Sequence, residues 1–210
     1  MPLIRPYRAE DAPALAEICT RTALSGKDAT GVLDDDALWG DLFALPYAER
    51  DPALCWVVES DDGRTIGYIV ATDDTDAFET WFRDVWWPSR SRRYARLGRA
   101  EKTRQDELLA YADARGPARE PNAATHPAHL HIDLLPETQG MGLGRRLVET
   151  LLGELARRGV PALHLGMNPE NTPAAAFYAR LGFEPLPSAE GTTVLGLSTG
   201  ADRRPPAVRG

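Results

Sequence analysis

Gln139-Gly140-Met141-Gly142-Leu143-Gly144-Arg145-Arg146 sits between a strand-like run and an amphipathic helix. Before it, His129-Leu130-His131-Ile132-Asp133-Leu134-Leu135 alternates and stops at Pro136. After it, Leu143, Leu147, Val148, Leu151, Leu152 and Leu155 recur at helical spacing. A strand, a glycine loop and a helix start in that order offer backbone N–H groups to a phosphate. The first N–H groups of a helix lack intrahelical partners and carry partial positive charge. Glycines let an anion come close to the backbone. The stretch therefore predicts binding of a phosphorylated cofactor.

The glycine spacing narrows the choice. A dinucleotide loop needs Gly-x-Gly-x-x-Gly, but position 145 is Arg. A Walker loop ends in Gly-Lys-Ser/Thr, and Gly144 is followed by Arg145. What remains is Gln-x-x-Gly-x-Gly at Gln139, Gly142 and Gly144. A second pattern follows the strand-like Ala162-Leu163-His164-Leu165-Gly166. It is Asn171-x-x-Ala174-x-x-Phe177-Tyr178-x-x-x-Gly182-Phe183. Thr172 suits an N-cap, Pro173 the first helical position and Gly182 the position just past the helix end.

These two patterns, in this order and at this separation, resemble the signatures of the GNAT (GCN5-related N-acetyltransferase) superfamily, whose members bind acetyl-CoA. The resemblance implies an α/β (α+β) acyl-CoA N-acyltransferase fold. Its mixed central sheet is splayed between strands 4 and 5, with helices on both faces.

Composition sets bounds. The chain has 210 residues, 43% of them hydrophobic, enough for a full core. A net charge of −7 argues against a nucleic-acid partner and mildly favours a cationic acceptor such as an amine. Lys27 and Lys102 are the only lysines; the other basic residues are arginines. Cys19 and Cys55 lie among apolar neighbours and read as buried thiols in a reducing compartment. Met-Pro-Leu-Ile-Arg-Pro-Tyr has no apolar signal core, and no run approaches a membrane span, so a cytoplasmic location is expected. No metal-ligand pattern is present.

The rest of the chain reads as follows. Leu3-Ile4-Arg5 is a first strand. Asp11 caps a helix with Pro13 in its first turn and Leu15, Ile18 and Cys19 on its apolar side. Ala37 to Leu45 is a second helix, and Pro46 to Pro52 a connector. Leu54 to Glu59 and Thr65 to Ala71 form a hairpin around Asp62-Gly63. Thr192 to Ser198 is the last strand. Residues 1–199 are expected to form one domain and 200–210 a disordered tail. A helical insertion about residues 76–127 interrupts the pattern. It holds Glu79 to Pro88 and a charged helical stretch from Arg99 to Ala114. Its Trp81, Trp86 and Trp87 admit three readings: acceptor-pocket lining, a homodimer patch, or the insertion's own small core.

From about Leu38 to Leu197 the chain is also similar to the acetyltransferase-like C-terminal domain of animal O-GlcNAcase, and looks like a free-standing bacterial relative of it. That similarity is clearest at Ile66-Gly67-Tyr68, Trp86-Trp87-Pro88, Ile132-Asp133 and Phe177 to Gly182. The glycine loop, degraded in the animal domain, is intact here.

The family resemblance implies an N-acetyltransferase that moves acetyl directly from the CoA thioester to an amine, on a small molecule or a protein lysine. The alternative is a non-catalytic acetyl-CoA-binding or scaffold module. A third reading, transfer to an amino sugar or antibiotic, would need an acidic pocket to which Asp73, Asp74 and Asp76 contribute. The resemblance places backbone groups of Ile132 and Leu134 along the pantetheine. It places Gln139, Gly140, Met141, Gly142, Leu143, Gly144 and Arg145 on the pyrophosphate, with Arg145 or Arg146 screening the adenosine phosphates, and Asn171 on the pantetheine. Tyr178 would protonate the leaving thiolate. His129, His131 and Asp133 share one strand face. Asp133 ranks first as base, His131 stays open, and His129 is expected to be structural.

Overall fold

A computed structural model describes residues 1–94 and 101–200. Its centre is one seven-stranded sheet in the order β1-β2-β3-β4-β5-β7-β6. The strands are β1 (Leu3–Pro6), β2 (Cys55–Glu59), β3 (Thr65–Thr72), β4 (Ala128–Leu134), β5 (Ala162–Met167), β6 (Glu184–Leu186) and β7 (Thr193–Ser198). All neighbours are antiparallel except β4 and β5. That parallel pair touches only at Ala128 with Leu163 and His129 with His164, after which the strands part. The expected splay is therefore present. β3 and β4 stay paired along the whole stretch from Gly67–Leu134 to Thr72–His129.

Strand alternation sorts β4 between two faces. His129, His131 and Asp133 share a face with Thr72, Val70 and Tyr68 of β3. That face is covered by α1 (Ala12–Thr22), α2 (Ala37–Phe43) and α3 (Leu45–Arg50). Leu134 belongs to the opposite face. It packs under α7 (Leu143–Arg157), which itself meets α8 (Thr172–Leu181) where a Cβ on Gly144 would stand 3.1 Å from Phe177 Cζ and 3.2 Å from Leu134 Cδ1. α7 has the expected apolar stripe, with Leu147, Val148, Leu151 and Leu155 all buried.

Three local expectations need correction. Pro46 to Pro52 is not a plain connector. Leu45 to Arg50 is helical, because Pro46 occupies the first turn, where its missing N–H costs nothing. Asp11 precedes α1 without capping it; its carboxylate accepts Arg8 N–H at 2.8 Å and takes the Arg5 guanidinium at 2.7 and 2.8 Å. Arg5 also donates to Glu59 at 2.6 Å, which locks β1 onto β2. At α8 the cap is Asn171, not Thr172: Asn171 Oδ1 accepts from Ala174 N–H at 3.2 Å and Pro173 falls one position later.

Between β3 and β4 lie α4 (Thr75–Trp81), a π-helical turn (Phe82–Trp86), α5 (Trp87–Arg90) and α6 (Arg104–Ala114). Arg99 and Ala100, the start of the expected charged helix, lie outside the described residues, as does the expected tail from residue 201. Trp86 and Trp87 are buried and Trp81 is packed against the same core. Their indoles are anchored: Trp86 Nε1 donates to the Asp41 carbonyl and Trp87 Nε1 to Asp113, both at 2.8 Å. The insertion thus fuses with the main core. Arg115 fastens it. Buried, it donates to Glu79 at 3.0 and 2.6 Å and to the Leu42 carbonyl at 3.1 Å, and lies 3.6 Å over the Phe82 ring. No described helix is long and apolar enough to cross a membrane.

Candidate functional site

The glycine stretch forms the entry to α7. Pro136–Thr138 makes a single 3₁₀ turn, and Gly140 and Gly142 follow at φ +76° and +69°, the left-handed region where a side chain would be strained. Both have open space where a side chain would project. Arg146 N–H makes the first helical bond, to the Gly142 carbonyl at 3.2 Å. Among the described residues the N–H groups of Gly140, Gly142, Leu143, Gly144 and Arg145 have no acceptor. Those of Gln139 and Met141 are used within the loop, on the carbonyls of Pro136 (3.1 Å) and Thr138 (3.4 Å). The free donors of this helix start form a preorganised anion cradle. Gly144 differs from the other two glycines: it is small because α7 presses there on Phe177 and Leu134. Arg145 is exposed and turned aside, donating to the Arg180 carbonyl at 3.1 Å and facing Glu149 at 3.5 Å. Arg146 is exposed.

Beside the cradle, the parting of β4 from β5 opens a cleft of about 720 Å³. Ile132, Asp133, Leu134, Gln139, Asn171 and Tyr178 all line it. The edge of β4 that faces β5 is unpaired beyond His129, so its backbone is available to an added chain. Tyr178 is buried between Phe177 and Phe183, with ring centroids at 5.1 and 5.2 Å. Burial, and then the nearby Asp133, raise its pKa above the ordinary phenol value. It is therefore a proton donor, not a base, at neutral pH.

Asp133 is half-buried, and burial raises its pKa; hydrogen bonds from Tyr68 (2.5 Å) and Thr22 offset part of that rise. The two residues predicted for catalysis thus face one cleft. His129 is held by both ring nitrogens. Thr75 Oγ donates to the Pro127 carbonyl at 2.7 Å, so it accepts from Nδ1–H of His129 at 2.8 Å; Nε2 then accepts from Tyr47 O–H at 2.7 Å. Burial pushes its pKa well down. His129 is structural, as expected. His131 is lowered to about 4, first by burial and then by the charge of Arg115, so it is neutral at pH 7.

A second cavity of about 590 Å³ adjoins the cleft, and the two share Phe43, His131, Met167 and Asn168. It lies against the insertion, which contributes Glu79, Tyr111 and Arg115. Sequence reasoning missed one polar resident, His164, because its burial depends on β5 facing the insertion. Asp73, Asp74 and Asp76 line neither cavity. They pair with Arg158 (2.9 Å), cap α4 through Ala77 N–H (2.9 Å) and accept from Ala118 N–H (2.8 Å), respectively. An acidic acceptor pocket built on them is not present. Cys19 and Cys55 are free and buried, their thiols pushed up by burial, Cys55 to about 12. Among the described residues no cluster of His, Cys, Asp and Glu suits a metal ion.

Residues 86–183 match the model of the acetyltransferase (GNAT) family. A crystal structure of SsHAT superposes with a TM-score of 0.88 at 42% identity, covering 94% of this chain and 98% of that one. The [ribosomal protein bS18]-alanine N-acetyltransferase of Escherichia coli K12 is 48% identical over 53 residues, which are 25% of this chain and 36% of that enzyme. Across the curated relatives the matched share runs from 17% to 64% of their lengths, so none is spanned by as much as two thirds. The structure of yncA from Salmonella typhimurium with its cofactor acetyl-CoA shares the fold, with a TM-score of 0.53 at 18% identity, covering 95% of this chain and 94% of that one. With a splayed sheet, an amide-lined helix entry and a near-full-length structural match, the chain belongs to the GNAT acetyltransferase family.

Proposed function

We propose that this chain transfers an acetyl group from acetyl-CoA to an amine. The observation that carries the reading is the row of unpartnered amides from Gly140 to Arg145, opening beside a cleft that also holds Tyr178 and Asp133. The diphosphate would be held by the N–H groups of Gly140, Gly142, Leu143, Gly144 and Arg145. The Gln139 side chain lines the same cleft. Met141, half exposed, contributes loop geometry, since its own N–H is spent. The pantetheine would lie along the open edge of β4 at Ile132 and Leu134, with the Asn171 side-chain amide beside it.

A free amine attacks the thioester carbonyl carbon; a backbone N–H at Leu134 would polarise that carbonyl. The carbon–sulfur bond breaks, and the thiolate takes the proton of the Tyr178 hydroxyl. The ammonium proton goes to Asp133, whose raised pKa brings it closer to the working pH than an ordinary carboxylate. His131, held near 4, is the poorer store for that proton.

Calorimetry with coenzyme A, and thiol release from acetyl-CoA over an amine panel, test the reading with wild type and Tyr178→Phe. Heat of binding with turnover that falls in Tyr178→Phe supports it. Binding without turnover on any amine supports the scaffold module instead, and absence of binding refutes both.

A further inference from the structure

The second cavity is built for a particular shape of molecule. Its walls are rings: Phe43 stacks on Tyr111 with centroids 6.0 Å apart and planes 26° apart, and His131 meets Phe43 at 5.6 Å and Tyr47 at 5.3 Å. Its buried charges, Glu79 and Arg115, satisfy each other. At about 590 Å³ it has the size of a small-molecule site, not of a protein-binding groove. It opens onto the acetyl-transfer cleft at His131, Met167 and Asn168.

One polar group in it is both buried and incompletely used. His164 is 4% exposed, and its Nδ1 lies 2.7 Å from the His126 carbonyl. A carbonyl only accepts, so Nδ1 carries the proton and Nε2 presents a lone pair. Among the described residues that lone pair has no donor. His164 precedes Met167 by three residues on β5, roughly 10 Å along the strand. That is about the reach of an ethylamine chain and a para-substituted ring.

Resting on the acetyl-transfer reading, the geometry points to the acceptor: a small primary amine carried on an aromatic ring, with a hydrogen-bond donor at the far end of the ring. The amine sits at the junction with the cleft, the ring between Phe43, Tyr111 and Tyr47, and the distal hydroxyl or N–H donates to His164 Nε2. Transfer forms the amide C–N bond and breaks the thioester C–S bond. The thiolate takes the Tyr178 proton, and Asp133 takes the proton lost by the ammonium.

Thiol release is measured with tyramine, phenethylamine, n-hexylamine and a blocked lysine tripeptide, alongside calorimetry of coenzyme A. Wild type is expected to use tyramine at least about tenfold better in kcat/KM than phenethylamine, because the ring without a donor leaves Nε2 unpaired. His164→Leu is expected to bring that ratio to about one. Tyr111→Ala, at a half-exposed position that folding tolerates, is expected to raise KM for both ring-bearing amines about tenfold. Preference for hexylamine or the peptide, no turnover of either ring-bearing amine despite coenzyme A binding, or an undiminished ratio in His164→Leu each overturns the acceptor assignment. Loss of the coenzyme A heat overturns the transfer reading and this assignment with it.

Discussion

Lowering the pH from 7 to 5 exposes what the surroundings of His131 cost the fold. In the unfolded chain His131 titrates near its ordinary 6.5, and in the folded chain near about 4. Between those values the unfolded state binds a proton that the folded state refuses. A histidine with a depressed folded pKa therefore contributes stability that is present above 6.5 and is lost as the pH falls toward the folded value. Linkage over this window gives a loss of about 1.8 kcal/mol between pH 7 and 5, roughly a twentyfold rise in the unfolding constant. His129 is depressed in the same direction and adds to the loss. Asp133, raised in the fold, works the opposite way. The comparison that isolates His131 is wild type against His131→Gln, in urea titrations followed by tryptophan fluorescence at both pH values. Shared contributions cancel, and wild type should lose about 1.8 kcal/mol more than the variant over the interval. Equal losses in the two proteins would show that His131 is not held neutral by burial and Arg115.

Other substitutions probe the cradle, the reaction and the insertion. Gly142→Ala forces a side chain into φ +69° and should cost about 1–2 kcal/mol of stability while weakening coenzyme A binding in calorimetry. Tyr178→Phe should lower kcat by about a hundredfold with little change in the KM for acetyl-CoA, measured by thiol release. Arg115→Met leaves Glu79 buried without its partner and should destabilise by about 3–5 kcal/mol in chemical denaturation. Gly67→Ala would place a methyl 2.3 Å from Leu134 Cδ2 and 3.2 Å from the Asp133 carbonyl, costing about 1–3 kcal/mol by thermal melting.

Much of the fold is visible in short-range pattern. The hairpin follows from Asp62-Gly63, with Gly63 at φ +81°, and β4 from its alternation up to Pro136. The stripe of α7 follows from its 3.6-residue period. Errors arise where two local signals compete or where the decisive contact is distant. Asn171 and Thr172 are both good caps, and only the bond to Ala174 decides between them. Prolines at 46 and 52 look like breaks, yet the first sits where a helix accepts it. β6 has three residues with a proline in the middle, tolerable on a sheet edge but without periodicity to announce it. The glycine motif indicates an anion site but does not say which amides stay free: Gln139 and Met141 turn theirs inward. Gly144 looks like a third phosphate glycine in sequence, and its contact with Phe177 comes from thirty-odd residues downstream. His164 and the ring-lined cavity need the insertion folded over the sheet before they exist at all.

The wide turn at Phe82–Trp86 has a consequence for how this chain tolerates changes in length. Its hydrogen bonds reach five residues ahead, where an α-helix reaches four. Every residue along a helix advances the next by about 100° and 1.5 Å. Losing one residue from this turn would restore ordinary winding and swing everything after it through that angle. Trp87 would then leave Asp113, and Arg90 would come off the Trp86 ring it now covers at 4.3 Å. The segment thus behaves like a gear with one tooth spare: its angular setting, more than its composition, keeps both indoles aimed inward. A single-codon deletion there would be felt across the insertion, whereas most point substitutions at exposed Val85 would pass unnoticed.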